Sequence, residues 1–98
     1  MTRIKDADVI VTNPTHYAVA LEYKPQTMAA PRVVAKGKGW LAKKIKEQGQ
    51  IYDIPTVENV SLARALYKSV ELEQEIPGEL YKAVAEVLAF VFKVRKAL

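Results

Sequence analysis

The sequence predicts an α/β fold: a small sheet of about four strands surrounded by helices, in a single compact domain. Three observations predict it. Short β-branched runs bounded by Asn, Pro and Gly occupy the first third of the chain. After Lys38 the apolar period lengthens from two to that of a helix. One further extended run, Ile54–Val57, then sits between two helical stretches, the alternation that lays helices over a sheet. A chain of 98 residues can hold one core and is too short for two domains.

Residues 1–7 read as a frayed lead-in and 8–97 as the domain. Asp8–Thr12 forms a short strand that stops at Asn13-Pro14. Tyr17–Tyr23 forms the second, with Tyr17, Val19, Leu21 and Tyr23 on one face and Ala18, Ala20 and Glu22 on the other. Two prolines break the chain over 24–31, and Arg32–Ala35 gives a third strand closed by Gly37 and Gly39. Leu41, Ala42 and Ile45 mark a helix that runs from about Lys38 and, on local reading, ends at Gly49. Ile54–Val57 is the fourth strand. Asn59 or Ser61 caps a helix whose buried stripe is Leu62, Leu66 and Val70. Pro77 opens the last helix, in which Leu80, Val84, Val87, Leu88 and Val91 form a stripe. That helix is so apolar that packing on two sides, against sheet and helix, is expected.

Composition excludes several functions. Half the residues are apolar and 27% are charged, so the chain is not a disordered tail. Without cysteine it has neither disulfides nor thiolate metal sites, and one histidine among scattered carboxylates leaves no zinc cluster. No metal or cofactor is expected. The longest uncharged run, Val9–Leu21, has 13 residues and contains Pro14, whereas a spanning helix needs about 20. No apolar stretch follows Met1, so no signal peptide and a soluble intracellular chain are expected. No pair of carboxylates suggests a hydrolase acting on an external substrate.

The net charge of +4 is uneven: residues 1–50 hold nine Lys/Arg and four Asp/Glu, residues 51–98 six and seven. Lys36, Lys38, Lys43, Lys44 and Lys46 surround Trp40, a pattern open to two readings: a nucleic-acid patch, or else a solvated helix face or a docking surface for an acidic partner. The absence of a binding motif favours the second, and leaves Trp40 as either core or contact. Lys36-Gly-Lys-Gly39 lacks the spacing of a phosphate loop.

Asn13-Pro14-Thr15-His16 carries the most chemistry. Asn and Pro suit the first two positions of a turn, and the four residues can be only that. Pro14, however, has no N–H. The usual deamidation of asparagine, through the next residue's nitrogen, is therefore closed. Attack by the Asn13 side-chain nitrogen on its own carbonyl remains, and it cuts the chain before Pro14. A tight two-residue link would need positive φ that Pro14 cannot adopt, so a strained hairpin is expected. Strain of this kind supplies about 1–3 kcal/mol. Near-attack positioning supplies up to about 7–11 kcal/mol, so placement outweighs strain. His16 is either a proton relay or a residue that holds the turn; Thr15 either bonds the turn or fills a strand position.

The segment Ala7-Asp-Val-Ile-Val-Thr-Asn-Pro-Thr-His-Tyr-Ala-Val-Ala-Leu21 resembles the cleavage-loop region of the export-switch family of type III secretion, which has flagellar and injectisome members. The resemblance continues in order through Met28–Gly39, Ile54–Asn59, Leu62–Tyr67 and Ile76–Tyr81, over about residues 7–92. It implies the C-terminal cytoplasmic domain of a membrane protein, on the cytoplasmic face of the bacterial inner membrane, with a cleavage loop at 13–16. Asn13 would be the nucleophile and Pro14 the new N-terminus, while Thr15 and His16 support the loop. Cutting is one intramolecular event rather than enzymatic turnover. It would let the export gate change substrate class, and the two pieces would stay together. Implied partners are other export-apparatus proteins, rod/hook or needle-type substrates and a length-control protein, with no nucleic acid. A basic nucleic-acid module and a stand-alone paralogue of the switch domain are the alternatives. Val60-Ser61 replaces the family's frequent Pro-Pro, and Gly49 stands where the family often has alanine within a longer helix that would reach Ile51 or Tyr52. Asp53 lies near a common terminating glycine.

Overall fold

The computed structural model describes residues 3–97. Its four strands are β1 (Val9–Asn13), β2 (Tyr17–Glu22), β3 (Arg32–Lys38) and β4 (Thr56–Glu58). The helices are α1 (Trp40–Ile51), α2 (Val60–Ser69) and α3 (Tyr81–Ala97). The sheet order is β3-β2-β1-β4, with β1 parallel to β4 and antiparallel to β2. The α/β fold with four strands and surrounding helices is thus as expected.

Strand alternation builds two cores. Val9, Val11, Val19, Leu21 and Val33 meet Leu62 and Leu66 of α2, Val70 just after it, and the Val84, Val87, Leu88 and Val91 stripe of α3. Ile10, Ala18, Ala20, Val34 and Ala35 meet Ala42 and Ile45 of α1. The small alanines of β2 let α1 lie close to the sheet. Pairing shifts between Ala20 and Leu21, so that Ala20 faces Ala35 but Leu21 faces Val33. Val34 is the extra residue of this bulge, and it reverses the facing of everything after it in β3.

Several boundaries differ from local reading. Residues 4–7, read as frayed, make a 3-10 turn over Ile4–Asp6, with Ile4 wholly buried; residues 1 and 2 of that lead-in lie outside the described residues. Helix α1 passes through Gly49, where a Cβ would collide with the Ile10 side chain, so this glycine marks a close approach rather than a helix end. The helix stops two residues later, at Ile51: the Ile54 N–H donates to the Gly49 carbonyl at 2.8 Å and the Asp53 N–H to that of Gln50 at 3.2 Å. Asp53 takes the left-handed position of this stop, at φ 55°. Ile54 is therefore used by the helix end, and β4 begins at Thr56 rather than Ile54. Asn59 is the cap of α2, its side chain accepting from the Leu62 N–H at 3.1 Å. Pro77 precedes a 3-10 turn, Gly78–Leu80, and α3 starts only at Tyr81. Contrary to the two-sided packing expected of it, α3 leaves Ala85, Ala89 and Phe90 exposed, Phe90 at 60%.

Candidate functional site

The hairpin between the two central strands is positioned by pairs on both sides. Asn13 pairs with Tyr17 as the last rung of β1 and β2, and Tyr17 pairs in turn with Lys38 of β3. On the far side, the Asn59 N–H donates to the Thr12 carbonyl at 2.9 Å. Asn13 is buried beside this frame, whereas Pro14, Thr15 and His16 are exposed. The nucleophilic candidate is thus held, and the leaving side faces solvent.

Three residues, Pro14, Thr15 and His16, separate the strands, instead of the tight two-residue link expected. The His16 N–H donates to the Asn13 carbonyl at 3.1 Å, closing a four-residue turn. Positive φ among the described residues is confined to Gly39, Asp53 and Glu73. Turn types that need positive φ are therefore excluded, leaving the type I form that Asn and Pro favour at its first two positions. The hairpin carries no left-handed strain, which removes the smaller of the two effects weighed above. Positioning is what remains.

Thr15 donates its hydroxyl to Asn13 Oδ1 at 3.3 Å, a hold on the side-chain amide that leaves its nitrogen outside that contact. The His16 ring lies against Tyr17, with centroids 6.1 Å apart, and Tyr17 packs on Tyr67 at 4.8 Å. Local sequence singled out the His16 side chain, but the part of His16 that touches the Asn13 carbonyl is its backbone N–H. The i to i+3 bond of an Asn-Pro turn was the available signal. Gly39, which the sequence marks only as the close of β3, also reaches the hairpin: its N–H donates to the His16 carbonyl at 2.9 Å.

Two other surfaces are accessible. An apolar groove of about 380 Å³ runs between the segment after β2 and α3, walled by Tyr23, Ala30, Pro31, Ala85, Leu88 and Phe92. The lysine cluster is smaller than its sequence suggests. Lys36 Nζ turns inward to the Tyr67 carbonyl at 2.9 Å, while Trp40 is 71% exposed with Lys44 over its ring. Among the described residues, no helix is long and apolar enough to cross a membrane.

A four-stranded mixed sheet with an Asn-Pro hairpin joining its central strands fits the type III export-switch class. The chain belongs to that class: the model of the FlhB HrpN YscU SpaS family matches residues 1–91. It is 55% identical over 96 residues to the flagellar biosynthetic protein FlhB of Salmonella typhimurium, covering 98% of this chain and 25% of that protein. The chain therefore spans about a quarter of the length of the curated relatives it matches. The crystal structure of the cytoplasmic domain of FlhB from Shewanella putrefaciens is similar at 47% identity and a TM-score of 0.93, covering 98% of this chain and 74% of that one. An EscU C-terminal domain with an Asn-to-Ala substitution is similar at 37% identity and a TM-score of 0.88, covering 92% and 90%.

Proposed function

We propose that this chain is the self-cleaving cytoplasmic domain of a type III or flagellar export-apparatus component, and that its cleavage at Asn13–Pro14 controls substrate-specificity switching. The observation that carries this reading is the placement of Asn13. It is buried at the end of a central strand, its carbonyl accepts the His16 N–H at 3.1 Å, and the next residue is an exposed proline.

Cyclisation forms a bond from Asn13 Nδ2 to the Asn13 carbonyl carbon and breaks the bond from that carbon to the Pro14 nitrogen. One amide proton leaves Nδ2 and one proton ends on the Pro14 nitrogen, giving a new N-terminus and a C-terminal succinimide. Water enters only later, when the ring opens. The carbonyl oxygen gains negative charge in the transition state, where a fixed backbone donor such as the His16 N–H is favourable; such a donor is worth about 10²–10³ in rate in acyl-transfer enzymes. The event occurs once per chain, so the domain is not a turnover enzyme.

The lasting role is recognition of export-apparatus proteins, secreted rod/hook or needle-type substrates and a length-control protein at the cytoplasmic face of the inner membrane. The apolar groove beside α3 suits an exported segment that presents an apolar side chain. A nucleic-acid role draws less support, because Lys36 is withdrawn from the basic cluster.

A denaturing mass spectrum of the freshly prepared protein, repeated for Asn13→Ala, tests the cleavage. Fragments ending at Asn13 and beginning at Pro14, absent from the variant, are expected. A wild-type chain that stays at its intact mass would overturn the reading and leave the hairpin a turn.

A further inference from the structure

We propose that Gly39 is a positioning residue for the Asn13 carbonyl, acting through the backbone of His16. The inference rests on the cleavage reading above and extends it to a residue 26 positions from the Asn13 nucleophile.

His16 is held at both of its backbone groups. Its N–H donates to the Asn13 carbonyl at 3.1 Å, and its own carbonyl accepts the Gly39 N–H at 2.9 Å. The first bond sets the donor for the carbonyl under attack; the second sets where that donor sits. Gly39 makes this contact one residue beyond the last β2–β3 rung, Tyr17 with Lys38, and is at the same time the residue before α1. The Lys43 N–H donates back to the Gly39 carbonyl at 3.2 Å, so the anchor is the rigid start of a helix that packs on the sheet. The hairpin tip is thereby fixed to the body of the fold.

The conformation that allows this is φ 60°, ψ −126°. L-residues rarely adopt it, and D-residues reach it readily, being the mirror image of an extended L conformation. Nothing lies within 4 Å of where a Cβ at Gly39 would stand. The methyl group of an L-residue there therefore meets no neighbour and perturbs only the backbone. To relieve the strain an L-residue must turn the peptide that carries the N–H, which loosens its bond to His16.

Total synthesis of the 98-residue chain, with glycine, L-alanine or D-alanine at position 39, separates handedness from size. Each chain is refolded from denaturant, and cleavage is followed by denaturing mass spectrometry. Gly39→Ala is expected to slow cleavage by about tenfold or more, while D-alanine stays within about twofold of glycine. Ile45→Val, which weakens the core under α1 away from the hairpin, should leave the rate within about twofold and so controls for general destabilisation. Cleavage of Gly39→Ala at the wild-type rate, or equal slowing by both enantiomers, would overturn the positioning role while the cleavage reading stood. An uncut glycine chain would instead defeat that reading itself.

Discussion

Lys36 of β3 donates its ammonium to the Tyr67 carbonyl of α2 at 2.9 Å and stands 5.2 Å from the centre of the same residue's ring. The bulge at Val34 makes this possible. Lys36 pairs with Val19, and cross-strand partners share a face, so it points to the α2 side of the sheet instead of the α1 side that Val34 faces. It thereby satisfies a carbonyl in the last turn of α2, where a cation is also favoured. Lys36→Met keeps most of the stem and removes the charge-assisted bond. A loss of about 1–2 kcal/mol is expected in urea unfolding, whereas Lys43→Met, on the exposed face of α1, should change stability by less than about 0.5 kcal/mol. Equal effects of the two substitutions would refute the inward role of Lys36.

Gly49 and Ile10 form a second coupled pair. Replacing a mid-helix glycine by alanine ordinarily stabilises by about 1 kcal/mol. Here the new methyl group would meet Ile10 Cδ1, so Gly49→Ala is expected to destabilise by about 1–3 kcal/mol. Ile10→Val removes that atom at a cost of about 0.5–1.5 kcal/mol on its own. The double variant should therefore be more stable than the two single losses added together. A double-mutant cycle in urea that shows simple additivity would refute the contact.

Asp53 sits at φ 55°, in the position after the α1 cap that glycine normally fills. Asp53→Gly removes the left-handed penalty while keeping both terminating backbone bonds. A gain of about 0.5–1 kcal/mol follows, seen as a rise of about 3–6 °C in Tm for a domain of this size. An unchanged or lower Tm would show that the Asp53 side chain contributes more than its backbone costs.

These three sites also show what was legible. The alternation in β2 placed Val19 and Leu21 opposite Ala18 and Ala20, and both cores formed on those faces, because side-chain direction in a strand is a local property. The Asn13–His16 turn was legible for the same reason. Gly49 read as a helix end because the side chain it accommodates, Ile10, lies on a strand far away in sequence. Lys36 read as one of a basic cluster because the local pattern ends the third strand at Ala35, whereas β3 runs on to Lys38 and a one-residue bulge turns Lys36 to the α2 side. The role of Gly39 was hidden because it consists of a single long-range backbone bond, to His16, which no pattern of side chains encodes. α3 read as enclosed because composition gives its total apolar area, not how many neighbours remain to cover it.

The place of β1 determines how a cut chain would behave. It lies between β2 and β4, and Val9, Ile10 and Val11 are all fully buried. Asp8, at its start, accepts the Tyr23 N–H at 2.7 Å and the Lys24 ammonium at 2.8 Å, and Arg3 reaches Glu22 at 2.6 Å. Cleavage at Asn13 would leave this strand held by non-covalent contacts alone, and unfolding would release two molecules from one. The cut form should therefore show a Tm that rises with protein concentration, while intact Asn13→Ala shows none of this dependence. Asp8→Ala removes a buried acceptor for two donor groups, the Tyr23 N–H and the Lys24 ammonium; because Lys24 is nearly half exposed, the loss is set at about 2–3 kcal/mol. In the cut form that loss appears as fragment association weakened by roughly thirty- to a hundred-and-fiftyfold, and in the intact form only as a lower Tm. Calorimetry of both forms over a roughly hundredfold range of concentration distinguishes them. A cut form whose Tm does not move with concentration would mean that the strand does not leave when the domain melts, and that contacts with β2 and β4 persist beyond the loss of the core.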